Sequence, residues 1–416
     1  MKAEVGRLHG ILGYALLRLG AVNNAEGHFR AAIHILNWDL GDTAGSVRQK
    51  RRLSIVFKNL GRYHQARFEC EQAIEIADFR GLARESQMNR LNLAIVLIKM
   101  GRLGEVPSLL DELETRLAET PNARTLLRSR LVRGNYDRIR SQPNSALEIL
   151  RPALVSAREQ GLLREEAIAL EYLGDCYLLQ KDFGQALQHY EQALRIAEST
   201  APEGDIIPEL CHRMGEVKVR LGDPNAAIVL CERGLRTART SGDRYEECAT
   251  HRAYAMAHRA AGNSRKALRI ADEGIELASR YEIPYELGRT LAWAGEVRIE
   301  DAAPGEQTTG RRQLWDARGM FERMGLGHWV RSIDRSLGFD SQDDTTSEKP
   351  TDAFETEGCD RGAGPAPARG PVSQPEDQRR AAADPPDAPS PWQAYGPGRA
   401  GSCQSRSTRI STAAAA

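Results

Sequence analysis

Aromatic residues make up only 6 % of the 416 residues, so large rings contribute little of the interior volume. Small and aliphatic side chains must fill it, which lets backbones approach closely. Net charge is also missing: 57 lysines and arginines balance 57 aspartates and glutamates. An electroneutral surface does not draw in polyanions or polycations wholesale. The seven cysteines are an odd number without a CxxC spacing. That excludes a disulfide framework or a zinc ribbon and points to a reducing, cytoplasmic setting. No apolar stretch approaches the roughly 18 residues a membrane span requires. The short run Ile11–Leu17 follows Lys2 and Arg7, but Glu4 and Arg18 flank it and no small-x-small cleavage site follows. It does not read as a signal peptide.

Catalytic signatures are absent as well. There is no GxxxxGK[ST], GxSxG, HExxH or GxGxxG, and so no phosphate cradle, nucleophile elbow, zinc helix or dinucleotide loop. The nine histidines do not cluster, and neither His212 nor His258 has a second histidine or cysteine at i+4, so no metal site is expected. Neighbours on a helix point in different directions, which argues against Cys211 and His212 as a nucleophilic pair. The chain reads as a non-enzyme without cofactor.

What is present is a repeat of 40 or 41 residues, eight times over. A small residue stands four before a bulky one and seven before another small one. Examples are Ala25/Phe29/Ala32, Ala146/Leu150/Ala153 and Ala186/Tyr190/Ala193. Twelve residues upstream lies a further small residue, such as Gly13, Gly134, Gly174 or Gly215. Two breakers recur in each period. One is the glycine of Gly20, Gly61, Gly101, Gly222 and Gly262; the other falls at Gly41, Gly81, Gly161 and Gly242. Helical apolar spacing between paired breakers means two helices per unit and no strands. A fixed period of this length identifies a stacked solenoid.

The set Leu173-Gly174, Tyr177, Ala186, Tyr190 and Ala193 resembles the tetratricopeptide repeat. The usual period of that repeat is 34. The longer units here resemble the extended repeats in sensor regions of maltose-activator-type bacterial regulators and in kinesin light chains. The resemblance implies a right-handed superhelical all-α solenoid over residues 1–338. Residues 301–310 are expected to insert a polar loop in the eighth unit, and a last helix near 327–337 to cap the end. Residues 339–416, acidic and then rich in proline, glycine and alanine, are expected to be disordered.

In that architecture the first helices of successive units line a concave groove. The first four units place Arg7, Arg18, Arg48, Arg51, Lys58, Lys99, Arg128 and Arg138 there, without an acid. The later units contribute Glu171, Asp175, Glu209, Glu216, Glu296 and Glu300 among arginines. The expected function is a protein-interaction scaffold that takes a partner segment, acidic in character, in the basic half of the groove. The alternative is the sensor region of a bacterial transcriptional regulator whose output domain is not on this chain. Aromatics are not interleaved with the basic residues, which argues against nucleic acid. The lysine and asparagine carboxylate clamp of chaperone-binding relatives is not matched either, since Gly10 and Tyr14 stand at those places.

Overall fold

The computed structural model describes residues 2–339, except Gly20, Glu203, Ala302 and Ala303. Among them are seventeen α-helices and no strand. The first units are α1 (Lys2–Arg18) with α2 (Val22–His34), α3 (Thr43–Asn59) with α4 (Tyr63–Phe79), and α5 (Ala83–Lys99) with α6 (Val106–Glu119). The middle units are α7 (Ala123–Ile139) with α8 (Pro143–Glu159), and α9 (Leu163–Leu179) with α10 (Phe183–Thr200). Then come α11 (Ile206–Arg220) with α12 (Pro224–Ser241), α13 (Arg244–Ala260) with α14 (Ser264–Arg280), and α15 (Pro284–Asp301) with α16 (Pro304–Arg323). The last helix, α17 (Gly327–Leu337), stands alone.

Short polar residues start several of these helices. Asp42, Asn122, Asp182, Asp223 and Asp243 each accept a hydrogen bond from a backbone N–H three residues on, which satisfies a donor the helix cannot. Between helices the chain passes through the left-handed region. Gly61 and Gly101 do so with φ of 72° and 69°, and Ser141 and Lys181 take the equivalent turn in the next two units at some steric cost.

Each unit closes by a knob in a hole. The bulky residue of the second helix seats on the small residue of the first. A Cβ added to Gly174 would lie 2.5 Å from the Tyr190 ring; at Gly134 it would lie 2.6 Å from Leu150, and at Gly13, 3.0 Å from Phe29. The repeated alanines Ala25, Ala66, Ala146, Ala186, Ala227, Ala267 and Ala317 are all fully buried. The small-residue register is therefore the packing register.

Successive odd-numbered helices pack on one another, α11 and α13 most extensively, and form the inner layer; the even-numbered helices lie outside them. In the eighth unit the expected polar loop is largely helix, since α16 begins at Pro304. Proline is preorganised for the first helical turn. Gly310 can then meet Gly295 so closely that a Cβ on Gly295 would stand 2.8 Å from the Gly310 carbonyl oxygen. The end is capped as expected. The Trp329 ring stacks on Phe321 at 4.9 Å, and α17 buries its own Ile333 and Leu337. The expectation for 339–416 lies outside the described residues beyond Phe339.

The superhelix also touches itself. The turn at Gly61 meets Tyr281, the turn at Gly101 meets Pro284 and Met324, and His64 lies 3.4 Å from Glu282. Units two and three are thus in contact with units seven and eight.

Candidate functional site

Because the superhelix closes on itself, much of the inner face is interior. Along its later half, carboxylates and arginines alternate from one inner helix to the next. Asp175 on α9 accepts from Arg213 on α11 at 3.0 Å and from the Tyr190 hydroxyl at 2.6 Å, and pairs with Arg138 on α7 at 3.2 Å. Glu216 on α11 pairs with Arg252 on α13 at 2.6 Å, and Arg252 reaches Glu286 on α15 at 3.2 Å. Arg289 completes the set, 2.9 Å from Glu286. Across the passage, Lys99 on α5 donates to Glu246 on α13 at 2.8 Å and sits over the Tyr245 ring. Burial alone would raise these acids, but Arg252 and Arg289 hold Glu216 well below the carboxylate range, and Lys99 with His212 does the same for Glu246.

The earlier half of the interior is open. A cavity of about 560 Å³ lies among α1, α3, α5, α7 and α9, with a second of about 310 Å³ beside it between α3 and α5. Leu17, Ile55, Ile95, Val132 and Ile168 give the larger one apolar walls, and Arg51, Lys58, Arg124, Arg128 and Arg164 give it cationic ones. Two carboxylates on the wall are already engaged. Glu165 accepts from Arg124 at 3.0 Å and pairs with Arg128 at 2.6 Å, and Asp205 takes both Arg164 Nη groups at 2.7 and 2.8 Å. Arg51 lines both cavities. Burial, then Arg52, Arg128 and Arg48 around it, pull its guanidinium down to about 10. Among the described residues, neither Arg51 nor Lys58 has a carboxylate within ion-pair distance.

Asp243 caps α13 near Lys58 and Lys99, and burial pushes it up to about 6 against the pull of those two lysines. A raised folded value means that the folded state holds this proton more tightly than the unfolded one. The contribution is most favourable below about 3.9 and declines as pH rises through about 6. Asp243→Asn keeps a competent cap. It should be more stable than the wild type at pH 8 by about 1–3 kcal/mol, with the gap closing towards pH 4. Urea unfolding from pH 4 to 8 checks this; parallel profiles would overturn it.

The eight residues picked out as a basic strip meet different fates. Arg51, Lys58 and Arg128 come together at the larger cavity, and Arg48 joins Arg51 at the smaller, 3.4 Å from Glu85. Lys99 and Arg138 are engaged with Glu246 and Asp175. Arg7 is exposed on α1, and the Arg18 side chain lies outside the described set. Arg124 and Arg164, not among the eight, line the cavity. Arg164 is bound to Asp205. A signal for them existed: Arg84, Arg124 and Arg164 recur at the second position of α5, α7 and α9.

No helix among the described residues is long and apolar enough to cross a membrane. Residues 123–199 and 52–79 match tetratricopeptide repeat models. No curated protein sequence matches the chain significantly. Solved structures similar to it include a Rap protein complexed with competence and sporulation factor, at 14 % identity and a TM-score of 0.52, covering 80 % of this chain and 99 % of that one. A signal transduction ATPase with a tetratricopeptide repeat sensor from Pyrococcus horikoshii has 14 % identity and a TM-score of 0.45, over 79 % of this chain and 50 % of that one. Aspartyl phosphate phosphatase F from Bacillus subtilis has 13 % identity and a TM-score of 0.44, over 81 % and 94 %. Two segments of the chain are tetratricopeptide repeats, and the described residues as a whole fold as a helical solenoid of the tetratricopeptide-like kind.

Proposed function

We propose that this chain is a non-enzymatic interaction scaffold that receives an acidic segment of a partner in the open half of its interior. The observation that carries the reading is that Arg51 and Lys58, at a cavity of about 560 Å³ with apolar walls, have no carboxylate in ion-pair contact among the described residues. A pocket of that size and mixed character suits a short stretch of chain. The Rap protein with the shared fold was solved in complex with competence and sporulation factor, which supports a ligand-binding role for a solenoid of this kind. The regulator reading keeps the same cavity and adds an output elsewhere. It is favoured by the terminal stretch 316–338, which is similar to the end of extended-repeat sensor regions.

The test is an array of short peptides graded in net charge, probed with the full chain. Acidic peptides should bind, and more weakly as salt rises, because screening sets in over about 10 Å at 0.1 M. Reversing Arg48, Arg51 and Lys58 to glutamate should abolish that binding with helicity unchanged. Full binding by the folded triple variant at low salt would rule the reading out.

A further inference from the structure

The inner-face cations are treated unequally. Lys99, Arg138, Arg213, Arg252 and Arg289 each meet a carboxylate within 3.5 Å. At the junction of the two cavities the rule fails. Arg48, Arg51 and Arg84 line the smaller cavity with one acid, Glu85, and Glu85 is already taken by Arg48. Across the larger cavity, Glu165 is shared by two arginines and Asp205 holds Arg164, so neither relieves Arg51 or Lys58. Among the described residues Arg51, Lys58 and Arg84 have no carboxylate within ion-pair distance. The other cations nearest Arg51 are Arg48, Arg52 and Arg128. A half-buried guanidinium facing three cations, with only the already engaged Glu85 pulling the other way, is destabilising in the free protein.

We propose that the junction of the two cavities at Arg51 is the seat of a multiply charged phosphoryl group. The proposal deepens the reading of the interior as the binding site and rests on it. A carboxylate brings one charge and two oxygens, and would leave the junction still cationic. A phosphoryl monoester brings a charge of about −1.5 to −2 and three acceptor oxygens. Those oxygens match planar guanidinium forks arriving from different helices, α3 and α7. Arg51 has its whole fork available. Arg48 spends one nitrogen on Glu85, and Arg128 keeps a terminal nitrogen beyond the two that face Glu165. Lys58 lies two helical turns along α3 from Arg51, so it meets the body of the ligand rather than its phosphoryl group. The phosphoryl group has two sources, a phosphorylated side chain of a partner segment or a free phosphate-bearing small molecule.

The experiment titrates the full chain with inorganic pyrophosphate, the blocked tripeptide glycyl-phosphoseryl-glycine and tetraglutamate, followed by calorimetry and thermal shift. Both phosphoryl probes should bind and raise Tm, with tetraglutamate at least about tenfold weaker, the worth of one charge-assisted hydrogen bond. A tighter phosphopeptide supports a partner segment as the source, and tighter pyrophosphate a small molecule. Arg51→Met should raise the Tm of the free protein while losing the ligand-induced shift, a combination that a structural arginine would not give. Arg84→Gln, at an exposed position, should weaken both phosphoryl probes several-fold with the fold intact. Tetraglutamate binding as tightly as the phosphoryl probes would overturn the phosphoryl assignment and leave the acidic-segment reading standing. No binding of either phosphoryl probe, or an unchanged shift in Arg51→Met, would overturn it too; the peptide array then decides the broader reading on its own.

Discussion

Arg252→Ala is expected to cost about 3–5 kcal/mol of unfolding free energy, the usual penalty for removing one partner of a buried ion pair. Arg252 is 3 % exposed and bonds Glu216 on one side and Glu286 on the other. Its loss leaves two buried acids to share Arg289. Both acids are depressed in the folded state despite burial, by Arg252 and Arg289 together. Their stabilisation is present above the unfolded carboxylate value of about 4.3 and is lost as pH falls through the depressed folded values. The penalty of the variant should therefore be largest near neutrality and shrink on the acid side. Urea unfolding at pH 7 and pH 3.5 reads both effects. Arg130→Ala, on the exposed face of α7 with no ion-pair partner among the described residues, serves as the control and should stay within about 0.5 kcal/mol. A loss of under about 1 kcal/mol for Arg252→Ala would mean that the inner ladder is ornamental rather than structural.

Tyr190→Ala should be comparably severe, at about 3–5 kcal/mol, the range for emptying a buried aromatic site. The ring is fully buried against Gly174, and its hydroxyl supplies one of the hydrogen bonds on Asp175. The mutation thus opens a cavity and weakens the inner ladder together. Filling the hole from the other side is the complementary test. Gly174→Val should cost about 1–3 kcal/mol, because its Cβ alone would stand 2.5 Å from the ring. Ala186→Leu and Ala193→Leu belong to the same class, since both alanines are fully buried. Thermal unfolding followed by circular dichroism ranks them. Equal shifts for these variants and for Arg130→Ala would show that the packing register is misassigned.

The registers that define the fold were readable residue by residue. Gly174 and Tyr190 stand sixteen apart in sequence because a helix, a tight turn and a returning helix bring those positions together, and the same offset recurs at Gly13/Phe29 and Gly134/Leu150. The polar stretch at 301–310 misled, since its glycines and threonines resemble a loop; Gly310 is there to let α16 press against Gly295. The basic strip was legible only in part. Position on a first helix says that a side chain faces inward, and it holds equally for Lys99 and Lys58. That Lys99 is ion-paired and Lys58 is not depends on a residue 147 positions from Lys99, Glu246.

The sequence by itself determined the helices, their pairing and the order of stacking, because those contacts join residues within about one repeat and recur with its period. Only the tertiary structure decided where the interior stays open. The small turn-to-turn rotations accumulate until Gly61 meets Tyr281 and Lys99 meets Glu246. No single repeat encodes that sum. It seals the later half of the passage with its own ion pairs and leaves Arg51 and Lys58 facing a cavity.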